Sequence, residues 1–256
     1  MPPACIITLI QPEETIMRKL LAIGPVAILA AACSAGAGQG DEQPSGAQGS
    51  RNFEVGAFQS VALEGSHDVV VTVGGAPSVR AEGDAAAIER LDIRVENGAL
   101  KIGSRRSGWF SRHHGHVTVH VTVPALNGAS IGGSGDMRID RVQAAAFAAS
   151  IAGSGDLEIG ALRARRANFS IAGSGGIRAA GTADDADISI AGSGSVSGES
   201  FEAKRADVSI LGSGDVSLRA TEAVDASILG SGDVNVRGPA HCSVSKMGSG
   251  DVHCEN

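Results

Sequence analysis

The sequence predicts an all-β protein, a parallel β-solenoid whose coils of 18 to 20 residues turn on a repeated Gly-Ser-Gly corner. Three observations predict it. Gly-Ser-Gly recurs in phase, with its serine at Ser134, Ser154, Ser174, Ser193, Ser213, Ser231 and Ser249. On either side of the corner apolar residues stand two apart, as in Val208/Ile210 before it and Val216/Leu218 after it, which is the alternation of a strand with one buried face. Glycine supplies 36 of 256 residues against six Phe, one Trp and no Tyr, so a globular core of large aromatic side chains is not available.

The columns of the repeat carry the argument further. Four residues before each corner serine stand Ser130, Ser150, Ser170, Ser189, Ser209, Ser227 and Ser245, without exception. Beside them run Ile131, Ile151, Ile171, Ile190, Ile210 and Ile228, and only Lys246 in the last repeat breaks that column. After the corner come Met137, Leu157, Ile177, Val196, Val216, Val234 and Val252. A unit this short cannot bury its apolar face alone, and fixed columns are what stacking at about 4.8 Å produces. Each repeat reads as two short strands about a sharp bend, and seven or eight coils would stack to roughly 35–40 Å. A β-sandwich or propeller is the alternative, but neither accounts for columns held through every repeat.

Residues 1–32 read as a signal peptide with its true start at Met17. Arg18 and Lys19 precede an apolar run over 20–32 that is too short to span a bilayer and ends in small residues. Leu29-Ala30-Ala31-Ala32-Cys33 resembles the lipobox of bacterial lipoproteins, which implies lipidation of Cys33; plain secretion after an Ala-x-Ala site is the alternative. Residues 33–52, rich in Gly, Ser, Ala and Gln, read as a flexible tether, and 53–256 as one solenoid domain. Gly65-Ser66-His67-Asp68 is a degenerate first corner, followed by strands at 69–73, 91–95, 100–102 and 117–123. Asn97-Gly98 signals a hairpin between the second and third of these, and Pro124 ends the last before the regular stack. Cys242 and Cys254, the only cysteines in the folded part, sit on inward columns of the final coil. In an oxidising compartment they are expected to form a disulfide that closes the C-terminal end; two buried free thiols are the alternative.

Ser-Ile-Ala-Gly-Ser-Gly-Asp-Leu at 150–157 and Ser-Ile-Leu-Gly-Ser-Gly-Asp-Val at 209–216 resemble the head GIN domain family of autotransporter adhesins. The resemblance covers roughly 53–256. It implies a right-handed β-helix in a bacterial envelope protein, often a lipoprotein, and it brings no catalytic residues.

Asp136, Asp156, Asp215, Asp233 and Asp251 follow the corner, with Gly176 and Ser195 replacing them in the two middle repeats. Stacked carboxylates repel, so Asp215, Asp233 and Asp251 could hold Ca²⁺ with serine or backbone oxygens; otherwise each satisfies backbone N–H groups of its own turn. The segment 103–116 carries Arg105, Arg106 and Arg112 with no acid and the only tryptophan, Trp109, followed by His114 and His116. Such a loop suits an anionic glycan, a lipid headgroup or an acidic partner; the plainer reading is a solvated hairpin loop. His116 and His120 share a strand face and could hold Zn²⁺ or Cu²⁺, but no carboxylate or thiolate lies nearby in sequence to complete a site.

No cofactor is otherwise implied. The serines are periodic and alike in context, whereas a nucleophile is singular and has a base beside it. A formal charge of −7 supplies no basic field for nucleic acid. The reading is a non-enzymatic envelope or surface interaction module, exported and held at the membrane by an N-terminal lipid anchor, binding glycan, envelope polymer or protein. A structural envelope protein without a specific ligand and a polysaccharide-active β-helix enzyme are the alternatives.

Overall fold

The computed structural model describes residues 47–105 and 115–255. The N-terminal part contains strands β1 (Gln48–Phe53), β2 (Ser60–Gly65), β3 (Asp68–Val73) and β4 (Ser78–Asp84), helix α1 (Ala85–Glu89), then β5 (Leu91–Glu96), β6 (Ala99–Ser104) and β7 (Val117–Val123). The regular stack follows as β8 (Gly128–Gly133), β9 (Met137–Ile139), β10 (Val142–Gly153), β11 (Leu157–Gly173), β12 (Gly176–Gly192), β13 (Ser195–Gly212), β14 (Asp215–Gly230), β15 (Val234–Arg237), β16 (His241–Gly248) and β17 (Val252–Glu255). From β8 onward every pairing is parallel and in register on the corner, Gly153 beside Gly173, Gly173 beside Gly192 and Gly192 beside Gly212. The result is a β-solenoid of about six turns. The expectation of seven or eight coils counted the seven Gly-Ser-Gly corners and the degenerate one at 65–68.

The 20-residue coils have three inward runs rather than two. In β11 the inward residues are Leu157 and Ile159, then Leu162, then Ala167, Phe169 and Ile171, and the alternation slips at Gly160–Ala161 and at Arg165–Arg166. We name the runs by order back from the corner: side A before Gly-Ser-Gly, side B after it, and side C between B and the next side A. Side C escaped the sequence reading because its inward column is irregular: Val142, Leu162, Gly181 and Phe201 succeed one another in register. That irregularity is packing, since the large Phe201 ring faces the space left by Gly181 and lies 5.6 Å from the Phe169 ring. Coils of 18 and 19 residues lose residues between sides B and C, at Ile159/Leu162, Arg178/Ala180 and Gly198/Glu202, and the 18-residue coil of β14 regains one opposite Ala203/Arg205, so the corner stays in register.

The core is entirely apolar, with no buried polar or charged residue among those described. Both glycines of the corner are dictated by how closely coils approach. The first adopts a positive φ, 141° at Gly153 and 133° at Gly192, and a Cβ on Gly192 would lie 2.3 Å from the Gly173 carbonyl oxygen below it. A Cβ on the second, Gly194, would meet the Gly175 oxygen at 2.5 Å. The serine between them is exposed, and its N–H donates to the previous coil, as Ser193 does to the Gly173 carbonyl at 2.9 Å.

The degenerate corner at Gly65–Asp68 is the first coil: β2 and β3 pair in parallel with β8 and β9. Their other edges are covered by β6 and β7. The expected hairpin joins β5 and β6, with Asn97 and Gly98 both at positive φ (51° and 76°). The short helix α1 was not expected; Asp84 caps it by accepting the Ala87 N–H at 2.8 Å. Strand β1 begins at Gln48 and pairs antiparallel with β4. Residues 48–52, read as tether, therefore belong to the sheet, joined by backbone pairing that a Gly- and Ser-rich composition does not reveal.

At the other end Cys242 and Cys254 are joined in a disulfide, with their Cα atoms 6.7 Å apart. They occupy the inward columns of Val224 and Val236, as the register requires. Among the described residues no further coil covers them, and Cys242 is only half-buried and Cys254 exposed. Lys246, which interrupts the isoleucine column, pairs with Ile228 and donates to the Gly250 carbonyl at 3.1 Å and to Asp251 at 2.9 Å. A charged side chain is tolerated there because that column is open to water in the last coil.

Candidate functional site

The corner aspartates form a hydrogen-bonded ladder. The Asp156 N–H donates to Asp136 Oδ1 at 2.9 Å, Gly176 to Asp156 Oδ1 at 2.8 Å, Asp233 to Asp215 Oδ1 at 3.0 Å and Asp251 to Asp233 Oδ1 at 2.9 Å. The carboxylates of Asp136, Asp156, Asp215 and Asp233 thus serve the next coil rather than their own turn. In the two middle coils the side chain is lost and the backbone takes over, so Ser195 N–H donates to the Gly175 carbonyl at 3.2 Å and Asp215 N–H to that of Gly194 at 3.3 Å. Among the described residues no group of three or more His, Cys, Asp or Glu is placed to hold a metal ion. Asp251 is further held below the ordinary carboxylate range by its hydrogen bond and ion pair with Lys246.

A groove of about 350 Å³ runs beside this ladder along side B, from Asp68 and Thr118 past Asp136 and Asp156 to Gly176 and Ser195. Its second wall is the outward column of side B, Arg138, Glu158, Arg178 and Ser197 in register. Arg138 is neutralised, its Nε donating to Glu158 Oε2 at 2.8 Å. Arg178 is exposed and, among the described residues, makes no ion pair or side-chain hydrogen bond. It also borders a second groove of about 450 Å³ lined by Gly160, Ala179 and Glu199. Arg178 was not singled out in the sequence. The gaps at Gly176 and Ser195 marked the place, but the side B column has mixed residues and draws no attention until the register is known.

Of the arginine-rich loop, Arg106, Trp109, Arg112 and His114 lie outside the described residues. Arg105 follows β6, its N–H donating to the Arg90 carbonyl at 2.8 Å. His116 and His120 share a face but face different acids, His116 Nε2 lying 3.1 Å from Asp68 and His120 Nε2 3.9 Å from Glu82. Half-buried His67, at the degenerate corner, has its Nε2 2.7 Å from Ser104 Oγ. Burial first, then the charge of His116, pushes its pKa below the ordinary histidine value, while Asp68 works in the other direction.

A family model described as putative auto-transporter adhesin, head GIN domain, matches residues 57–240. The chain belongs to the head GIN domain family. Solved structures are similar to this chain in fold. A putative adhesin from Bacteroides fragilis NCTC 9343 is 24% identical with a TM-score of 0.76, over 82% of this chain and 98% of that one. A putative lipid binding protein from Parabacteroides distasonis ATCC 8503 is 25% identical with a TM-score of 0.67, over 83% and 98%. A putative adhesin from Parabacteroides merdae ATCC 43184 is 18% identical with a TM-score of 0.66, over 83% and 98%. No curated protein matches. The head GIN match ends at residue 240, so the disulfide-closed coil lies beyond it.

Proposed function

We propose that this head GIN domain is a non-enzymatic interaction module of the bacterial envelope, exported, tethered by lipid at Cys33, and binding a glycan, envelope polymer or protein along the side of its solenoid. The observation that carries the reading is the polar groove along side B, walled by in-register columns of charged and hydroxyl side chains over several coils. Repetition of this kind suits an extended ligand that meets the same chemistry at each coil. It does not suit catalysis, which needs one nucleophile activated by one base. Ser104 and His67 make a hydroxyl–imidazole contact at 2.7 Å, but among the described residues no carboxylate is hydrogen-bonded to that ring to orient it.

A second reading, contact with lipid, is favoured by a different feature. Leu211, Leu229 and Met247 stack in register on the outside of side A and are 56%, 50% and 72% exposed. The name of the P. distasonis structure points the same way. Both readings are tested by offering the full chain to a panel of envelope polysaccharides and to lipid vesicles, and by assaying the polysaccharides for cleavage. Saturable retention on a polymer without product release is expected. Release of products would replace the module with an enzyme, and retention on vesicles alone would favour lipid.

A further inference from the structure

Resting on the interaction-module reading, we propose that the break in the aspartate ladder at Gly176 and Ser195 is a subsite for a carboxylated sugar of an acidic glycan, with Arg178 as its anion contact. In every other regular coil a corner carboxylate stands two residues from the side B column, at Asp136, Asp156, Asp215, Asp233 and Asp251. An anionic ligand would be repelled there. At Gly176 there is no side chain and at Ser195 only a hydroxyl, so the repulsion is relieved over two successive coils.

Those two coils are where the charge of side B is left over. The column runs Arg138, Glu158, Arg178, then Ser197, Ser217 and Asn235 in register. Glu158 is hydrogen-bonded to Arg138, the next residues of the column are neutral, and Glu199 across the adjacent groove makes no ion pair or hydrogen bond with Arg178 among the described residues, so its guanidinium keeps its full fork of donors for a carboxylate. Around it stand groups suited to sugar hydroxyls. Asp156 uses Oδ1 for the Gly176 N–H and keeps its second oxygen. The Ser195 hydroxyl makes no hydrogen bond among the described residues, and Ser195 and Ser197 both line the groove. At the Gly176–Ser195 end of the elongated polar groove, beyond the carboxylates Asp68, Asp136 and Glu158, a guanidinium, hydroxyls and the Asp156 acceptor match a polyhydroxylated chain carrying acid groups better than an isolated small anion.

The test measures affinity of the full chain for alginate oligosaccharides, which carry a carboxylate on every sugar, against neutral dextran oligosaccharides by calorimetry. Two variants write the neighbouring coils into the site: Arg178→Ser copies Ser197, and Gly176→Asp copies Asp156. Gly176 does not have positive φ, and a Cβ there would meet only side-chain atoms, Asp156 Oδ1 at 3.1 Å and Ser195 Oγ at 3.6 Å among the nearest, so a side chain is accepted with a small shift of the Asp156 carboxylate, and unchanged circular dichroism verifies the fold of each variant. Wild type is expected to bind alginate and not dextran. Each variant is expected to bind roughly tenfold to a hundredfold more weakly, Arg178→Ser through loss of a charge-assisted contact and Gly176→Asp through restored carboxylate repulsion, while Arg163→Ser on side C binds as wild type. Equal binding by wild type and both variants, or equal binding of dextran, overturns the subsite. Retention of wild type on some other envelope polymer, with none on alginate, overturns the subsite and leaves the module reading standing. Failure to bind any polymer removes both.

Discussion

At Gly192 the backbone φ is 133° and the preceding coil's carbonyl oxygen would lie 2.3 Å from any added Cβ. Gly192→Ala therefore meets two penalties, a disfavoured backbone and a clash with main chain that cannot swing away. It is expected to cost about 2–4 kcal/mol in urea unfolding. Ser193→Ala, one residue on and exposed, should stay within about 0.5 kcal/mol. The pair separates a glycine required by geometry from a serine that is repeated without being structural. His67 supplies a second test at this scale. Its folded pKa lies below its unfolded value, so the unfolded chain binds more protons between the two. Stability tied to neutral His67 is then fully present above about pH 6.5 and is lost as pH falls through the folded value. The melting temperature of wild type should decline over that interval, and His67→Gln should flatten this part of the profile; an unchanged slope would remove His67 as its source.

The elements differ in how plainly the sequence shows them, for physical reasons. Side A and the corner are legible because identical coils stack there at main-chain contact, which admits only Gly and one size of apolar residue; the isoleucine column from Ile131 to Ile228 is buried throughout. Side C is not, because Phe201 and Gly181 share a volume between coils and the column shows no single residue type. Strands β1 and β4 are read poorly for another reason, since their partners lie across antiparallel pairings at the N-terminal cap and no repeat announces them. The groove follows the same logic. Its aspartate wall was visible as a column, whereas Arg178 gains meaning only from Glu158 beside it being taken by Arg138. The terminal coil, with one neighbour and a 12-residue span between its cysteines, depends on its crosslink. Replacing Cys242 and Cys254 by Ala should destabilise that coil by about 2–3 kcal/mol. Limited proteolysis should then cut first within 241–255 while the inner coils persist, and uniform cleavage along the chain would contradict a locally closed end.

As a whole the solenoid separates two tasks that a globular enzyme combines. Its interior repeats one apolar solution, and its outer columns are free to vary coil by coil without disturbing the stack. The middle coils use that freedom, dropping two carboxylates and leaving one arginine unneutralised while the backbone bonds Ser195–Gly175 and Asp215–Gly194 maintain the corner. Function should therefore be local on a surface whose structure is uniform, and hydrogen exchange reads that directly. With an acidic oligosaccharide bound to the full chain, new amide protection should concentrate at residues 174–179 and 193–198. Protection spread evenly over all the coils, or confined to the terminal coil, would contradict a binding site built where the repeat breaks.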